Sequence, residues 1–537
     1  MHQTRRQFIG TAATVAALSL GGARAAQPPG PARQSLTDFS ADPDRVASLR
    51  RGVAAMKALP GSDHRSWFFW AAVHAYGDAL FDAEAWRDPK LKTVDADRYW
   101  NKCPHFGQAS ADFAIWHRAY LHFFERTLRQ AAGDPALALP YWDYGSEAGR
   151  TFPAIYAPQF LDRAGTDPNP LYHPNREASF ARGLLEISTA IGQAPKTAAA
   201  ATFFHAVGAP GFGGDALDSE HTQIGLLEQR PHNDIHLAVG GVIDDANGAM
   251  AEITTAAFDP VFWAHHANVD RLWARWASTQ GKDWGPLPPE GWFEERPWLF
   301  VDADGGDVHV SRREAIEMLA TYDADYAAQL TVPSPPPPPP MASAPSGGAN
   351  ATATAMPPMV GAAAPRAVRR ARPPARELLA APIVVSPGNA ARRQLGAPET
   401  VMARGPMAAA PPPPTVLAAP ELSDGTSKVL LELSGIAFKL VPSSGFAVYL
   451  DSAGEAPSAE PVGLIDIFGA THHGGGMGAM TGMAAQRFDV TQILRKSRGP
   501  YTLRVEPYTL LVTHDGKPTR SRADAVTIAS ARFVVIG

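Results

Sequence analysis

Pro231-His232-Asn233-Asp234-Ile235-His236 sets two histidines four positions apart. On a helix that spacing turns both imidazoles to one side, where they can ligate one metal. Spacing alone is a weak signal, because such pairs also occur by chance or bind zinc. A zinc-protease reading is weakened further, since Asn233 stands where an HExxH enzyme carries its catalytic glutamate. The stretch predicts a helix that offers a metal two nitrogen ligands.

Other segments extend the pattern in both directions. Downstream comes Asp259-Pro260-Val261-Phe262-Trp263-Ala264-His265-His266-Ala267-Asn268-Val269-Asp270-Arg271-Leu272-Trp273. Upstream lie Val73-His74-Ala75-Tyr76 and Trp116-His117-Arg118-Ala119-Tyr120-Leu121-His122-Phe123-Phe124-Glu125, followed by Leu139-Pro140-Tyr141-Trp142-Asp143. Taken in order, these segments resemble the two copper motifs of the tyrosinase, catechol oxidase and hemocyanin family and a connecting segment between them. The resemblance runs from about Trp67 to Trp276.

It implies a mainly α-helical bundle that holds a dinuclear copper site. Carried over residue by residue, His74, His105 and His117 match the first copper, and His232, His236 and His266 match the second. In the tandem His265-His266 the family pattern uses the histidine four residues after Phe262, leaving His265 packed or hydrogen-bonded beside the site. His122, five residues after His117, sits about 140° around the helix and reads as a core or surface histidine. Neutral imidazole suits copper in both its oxidation states, and copper outranks zinc at nitrogen sites of similar geometry.

Cys103 is the only cysteine of the chain. It stands two residues before His105, in the order Cys-Pro-His, and His105 precedes His117 by a longer spacing than many family members show. The resemblance implies a thioether between Cys103 and His105; a buried free thiol is the plain alternative.

Further roles follow from the same resemblance. Glu228 matches a family glutamate that holds a water, and with Asn233, which directly follows His232, it could orient that water to accept the proton of an incoming monophenol, although Glu228 could equally cap the helix that begins near Pro231. Phe262 is expected to pack over His236 and shape an apolar slot for a substrate ring. Met250 or a near neighbour in the loop after His236 is a candidate for the entrance, and Asp270, Arg271 and Arg118 are expected to tie helices together. The implied activity is oxidation of monophenols and o-diphenols to o-quinones with O₂ as co-substrate and two copper ions as cofactor. A catechol oxidase or o-aminophenol oxidase without monophenolase activity, an O₂ carrier and a zinc hydrolase on His232 and His236 are the alternatives.

The rest of the chain frames this centre. At 537 residues with 45% apolar content, two folded units are expected. A formal net charge of −5, from 48 basic against 53 acidic residues, gives no reason to expect nucleic acid or an anionic membrane as partner. Thr4-Arg5-Arg6-Gln7-Phe8-Ile9 and the apolar run after it read as a twin-arginine signal over residues 1–25, implying export to the periplasm or beyond.

Residues 35–330 read as the catalytic domain. Residues 331–418 are Pro-, Ala- and Arg-rich and read as a disordered linker, with Pro335 to Pro340, the basic run Arg366 to Arg376, and one apolar run, Ala381 to Val385, able to dock. Residues 419–537 alternate with period two and predict an antiparallel β-sandwich.

Two stretches of that last unit, Pro461 to Gly469 and Arg487 to Leu494, are similar to the C-terminal domain of plant polyphenol oxidases. The similarity implies an active-site shield released by proteolysis in the linker. The loop His472 to Met483 offers His and Met donors to copper, or is simply a glycine-rich loop. The partners implied are a small phenol, a copper-donating chaperone and an activating protease.

Overall fold

The computed structural model describes residues 30–77, 96–104, 109–192, 196–218, 222–243, 246–279, 283–318, 320–322, 326–328, 376–377, 383–385, 391–394, 428–438, 444–468, 481–482, 485–497, 500–519 and 526–536. The twin-arginine segment, His105 and most of the His472 to Met483 loop lie outside the described residues.

The helical region is built on five helices whose ends are set by local chemistry. Helix α1 (Pro43–Ala58) starts with Pro43 in its first turn and with Asp42 accepting from the amides of Asp44 and Arg45. Helix α2 (Trp67–His74) is capped by Ser66 on the Phe69 amide, and His74 is its last residue. Helix α3 (Asp112–Ala132) carries His117 and stops at Gly133, whose φ of +62° is the left-handed conformation that favours glycine. Helix α4 (Asp234–Gly240) carries His236 and follows a π-turn, Glu228–Asn233, interrupted by the extended backbone of Arg230. Helix α5 (Val261–Thr279) carries His265 and His266.

The apolar faces of these helices meet in one core that includes Trp70, Trp116, Trp263 and Trp273, all fully or nearly fully buried. Each such aromatic contributes roughly 1.5–3 kcal/mol or more by leaving water. Rings interlock through it: Trp263 stacks on Phe124 at 3.3 Å between centroids, and Trp116 stacks on Tyr120 at 4.6 Å. The histidine-bearing segments are thereby fixed to one another by packing.

The C-terminal region forms antiparallel sheets. Strands β1 (Ile383–Val385), β2 (Ala391–Gln394), β3 (Lys428–Phe438), β4 (Ser444–Ser452), β5 (Gly463–Ile465), β6 (Gln486–Asp489), β7 (Tyr501–Thr509) and β8 (Val526–Ile536) divide into two. One has the order β2-β7-β4-β5. In the other β3 pairs β8 along most of its length, with β6 beside β3 and β1 beside β8. A short helix, α6 (Thr491–Lys496), follows β6.

Part of the segment expected to be a disordered linker is corrected here. Arg376–Glu377 and β1 pair with β8, and β2 pairs with β7, so these stretches are sheet strands. Ile383, from the apolar run expected to dock, is buried there. No helix among the described residues is long and apolar enough to cross a membrane.

Candidate metal centre

Five of the six expected imidazoles converge in the buried centre of the helical region. His266 occupies the middle: its ring is stacked 4.3 Å from that of His117 and lies 4.9 Å from His232, 5.6 Å from His236 and 6.2 Å from His74. His74 and His117 are 5.6 Å apart, and His232 and His236 are 4.5 Å apart. Two metal-sized groupings result, His74 with Cys103 and His117, and His232 with His236, His265 and His266.

The donor chemistry fits copper ions. His117 Nδ1 donates to the Phe113 carbonyl at 2.7 Å, His236 Nδ1 to the Met250 carbonyl at 2.8 Å, and His232 Nδ1 to Asn233 Oδ1 at 2.7 Å. Each of these bonds fixes a tautomer with its proton on Nδ1 and leaves Nε2 to donate to a metal. Nε2 of His236 lies 3.4 Å from Nε2 of His266, as two ligands of one ion require. Burial keeps the rings neutral: it pushes His117 and His236 down to about 3, and it lowers His266 strongly. No carboxylate belongs to either grouping, so neutral nitrogen donors dominate and soft, imidazole-preferring metals are favoured.

Local backbone explains how Cys103 reaches this place. The amides of Asn101, Lys102 and Cys103 bond the carbonyls of Ala72, Val73 and His74 in turn, laying that stretch along the end of α2. The Cys103 sulfur then lies 3.9 Å from His117 Nε2. Because His105 lies outside the described residues, the expected third ligand and its thioether are not part of this geometry.

Around the centre, buried ion pairs lock helix to helix. Asp270 on α5 accepts from Arg118 Nε on α3 at 2.7 Å and from Arg33 at 3.2 Å, and Tyr322 donates to the same carboxylate. The Arg118 guanidinium also lies 4.3 Å over the Trp273 ring. Arg271, next to Asp270 on α5, reaches Asp143 at 2.8 Å and lies over the Tyr141 ring. Arg176 and Asp259 form a further buried pair just before α5. Removing one partner from such pairs leaves an uncompensated charge in a dry interior.

The C-terminal sheets supply the remaining wall. Phe468, three residues past β5, stacks on His236 with 4.0 Å between centroids and 21° between planes, and meets His232 edge-on at 5.6 Å. Asp466 Oδ1 accepts from Asn233 Nδ2 at 2.8 Å. Tyr508 donates to Asp234 at 2.7 Å beneath the Arg230 guanidinium, and the Leu464 amide donates to Gln229. Gly445 makes room for the Tyr508 ring, since a Cβ there would lie 2.0 Å from it.

Against the expectations, His232, His236, His266, His74 and His117 are brought together, and His122 is not, lying half-buried against Phe123. His265 is packed at 5.2 Å on His232 and 4.8 Å from His236, with neither ring nitrogen hydrogen-bonded among the described residues. Glu228 is fully buried one turn before His232.

Two expectations are corrected. Phe262 packs on His266 at 4.1 Å and edge-on to His74 at 4.9 Å, with His236 only 5.9 Å away edge-on; the ring over His236 is Phe468. Met250 is fully buried and is no entrance residue, acting through its carbonyl on His236. The contribution of Phe468 had only one trace in the sequence, the similarity of its segment to a shielding domain.

Comparison with known proteins agrees with this geometry. Residues 64–279 match the tyrosinase family model, the common central domain of tyrosinase. Tyrosinase HcTyr1 of Hahella sp. (strain CCB-MM4) is 31% identical over 291 residues, covering 50% of this chain and 58% of that protein. The chloroplastic (+)-larreatricin hydroxylase of Larrea tridentata is 30% identical over 298 residues, covering 52% of this chain and 46% of that one. The chain thus spans about half the length of the curated relatives it matches.

Among solved structures, latent apple tyrosinase superposes over 95% of this chain and 98% of that one with a TM-score of 0.52 at 21% identity, a likeness of fold. The segment that matches the common central domain of tyrosinase holds all five converging histidines.

Proposed function

We propose that this chain is a copper-dependent phenol oxidase that converts monophenols and o-diphenols to o-quinones and is made in a shielded, latent form. The observation that carries the reading is the Phe468 ring lying on His236 inside a ring of neutral imidazoles. His74, His105 and His117 would hold one copper, and His232, His236 and His266 the other. Copper bound there supplies the two-electron chemistry that couples oxidation of the phenol to reduction of O₂.

The protein's own part is to exclude water, orient the ring and manage a proton. A phenol would take the place of Phe468 against His236, where an aromatic face already fits. Glu228 and Asn233 would hold the water that accepts the phenolic proton, Glu228 being buried one turn before His232 and Asn233 bonded to its ring. Phe262 would keep His266 and His74 in place. Cys103 and His105 would be joined by a thioether.

In domain terms, residues 1–25 would be a twin-arginine signal for export, 35–330 the catalytic unit, 331–375 a cleavable connection, and the strands from 376 onward a β-sandwich that acts as the shield. The latent state named for the apple protein of similar fold supports this reading. Oxygen uptake by the copper-loaded protein with tyrosine and L-DOPA, before and after limited proteolysis, tests it. Uptake with both substrates that rises on cleavage is expected. Uptake with L-DOPA alone would leave a catechol oxidase or o-aminophenol oxidase, and reversible O₂ binding without quinone would leave a carrier.

A further inference from the structure

We propose that Asp466 is a second lock on the centre, separate from the Phe468 plug, which takes the Asn233 amide away from substrate and so restrains monophenol hydroxylation more than o-diphenol oxidation. The inference rests on the reading of the chain as a shielded phenol oxidase whose Asn233 helps hold a proton-accepting water.

The Asn233 side chain is gripped at both ends. Its Oδ1 accepts from His232 Nδ1 at 2.7 Å, and its Nδ2 donates to the Asp466 carboxylate at 2.8 Å. Turning the amide over would set oxygen against carboxylate and N–H against N–H, replacing two attractive contacts by two repulsive ones. A bond to an ionised acceptor is also stronger than one to a neutral group. Asp466 is itself clamped, its amide donating to Gln486 Oε1 at 2.9 Å and its carbonyl accepting from Gln486 Nε2 at 2.5 Å. The carboxylate is therefore presented by a rigid edge of the sheet.

The two locks differ in kind. Phe468 lies on His236 and excludes every phenol by volume. Asp466 makes a polar contact one residue beyond His232, where it occupies an amide N–H and places negative charge beside the substrate face. That charge opposes a substrate that must give up its proton there, and the opposition is greatest for a monophenol, the less readily ionised of the two. Asp466 touches no reacting atom and acts through Asn233, as a positioning residue.

The test uses the copper-loaded full chain with Phe468→Ala, then the same chain with Asp466→Asn or Asp466→Ala added. Initial rates with tyrosine and L-DOPA are measured, together with calorimetric binding of benzoate, an aromatic anion that is not oxidised. F468A alone should raise L-DOPA oxidation about tenfold. Adding D466N should raise the tyrosine to L-DOPA rate ratio about fivefold and tighten benzoate about tenfold, with L-DOPA oxidation changing less than about twofold.

A ratio and a benzoate affinity that stay at the F468A values would overturn the proposal. So would loss of bound copper in both D466N and D466A, which would make Asp466 a structural residue. An F468A chain that holds two coppers and oxidises neither substrate would instead sink the phenol oxidase reading.

Discussion

The two ends of the histidine centre are walled by different kinds of structure. Around His74 and His117 the neighbouring rings of Phe113, Trp116, Tyr120 and Phe262 all come from the helical region. Around His236 the nearest ring is Phe468, which belongs to the sheets and is joined to α4 and its π-turn through a few polar contacts. One wall shares the main core and cannot leave without unfolding it. The other packs on the helical region through apolar side chains that join the same core, together with polar bonds worth about 0.5–1.5 kcal/mol each. Under the proposed latency, the first wall is permanent and the second is the removable one.

The largest effects should come from the metal ligands and from the ion pairs of the permanent side. His236→Ala is expected to lower phenol oxidation by about 10³-fold or more. Copper analysis should show about one ion per chain where the parent holds two, and full metal content would remove His236 from the ligand set. Next comes Asp270→Ala, which takes the ion-pair partner from the buried Arg118, leaves Arg33 with Glu125 alone, and should cost about 3–5 kcal/mol in denaturant unfolding. A loss under about 1 kcal/mol would mean that the pairs tying α3 to α5 are no firmer than those holding the removable wall.

A middle-sized effect tests the removable wall. Tyr508→Phe deletes only the hydroxyl that bonds Asp234. It should weaken the cover by about 1 kcal/mol and raise L-DOPA oxidation of the uncleaved chain several-fold, without changing copper content. Unchanged activity would assign closure to Phe468 and Asp466 alone.

The permanent side was far more legible in the sequence than the removable one, for a physical reason. The four-residue spacing of His232 and His236 could be read directly, and the choice of His266 over His265 followed from the family resemblance. Contacts between sheets and helices have no such period. Phe468 meets His236 across more than two hundred residues, and only the likeness of its segment to a shielding domain hinted at it. The stacking partner of His236 was therefore sought in Phe262, which instead braces His266 and His74.

The Met250 error arose because a backbone carbonyl does the work, and no side-chain identity announces that. In the linker, the apolar run around Ile383 was visible, whereas Arg376–Glu377 and Ala391–Gln394 pair through main-chain bonds that their charged side chains conceal.

The smallest expected effect separates the two walls by pH. His173 is buried beside Arg176 and Asp259, and the Asn175 amide donates to its Nδ1, which must then be unprotonated. Burial pushes the ring down to about 4 from its ordinary 6.5. Between those values the unfolded chain binds the proton and the folded chain does not. Stability attributable to this ring therefore falls as pH drops from 6.5 toward 4, by at most about 1.4 kcal/mol per pH unit.

His173→Gln should flatten the decline of Tm over that window by a few degrees, roughly 2–4 °C at pH 5. Because His173 touches the permanent wall, the substitution should leave the activation produced by Tyr508→Phe unchanged. A shift in that activation would show that the two sides of the centre are coupled through Asp259 at the foot of α5.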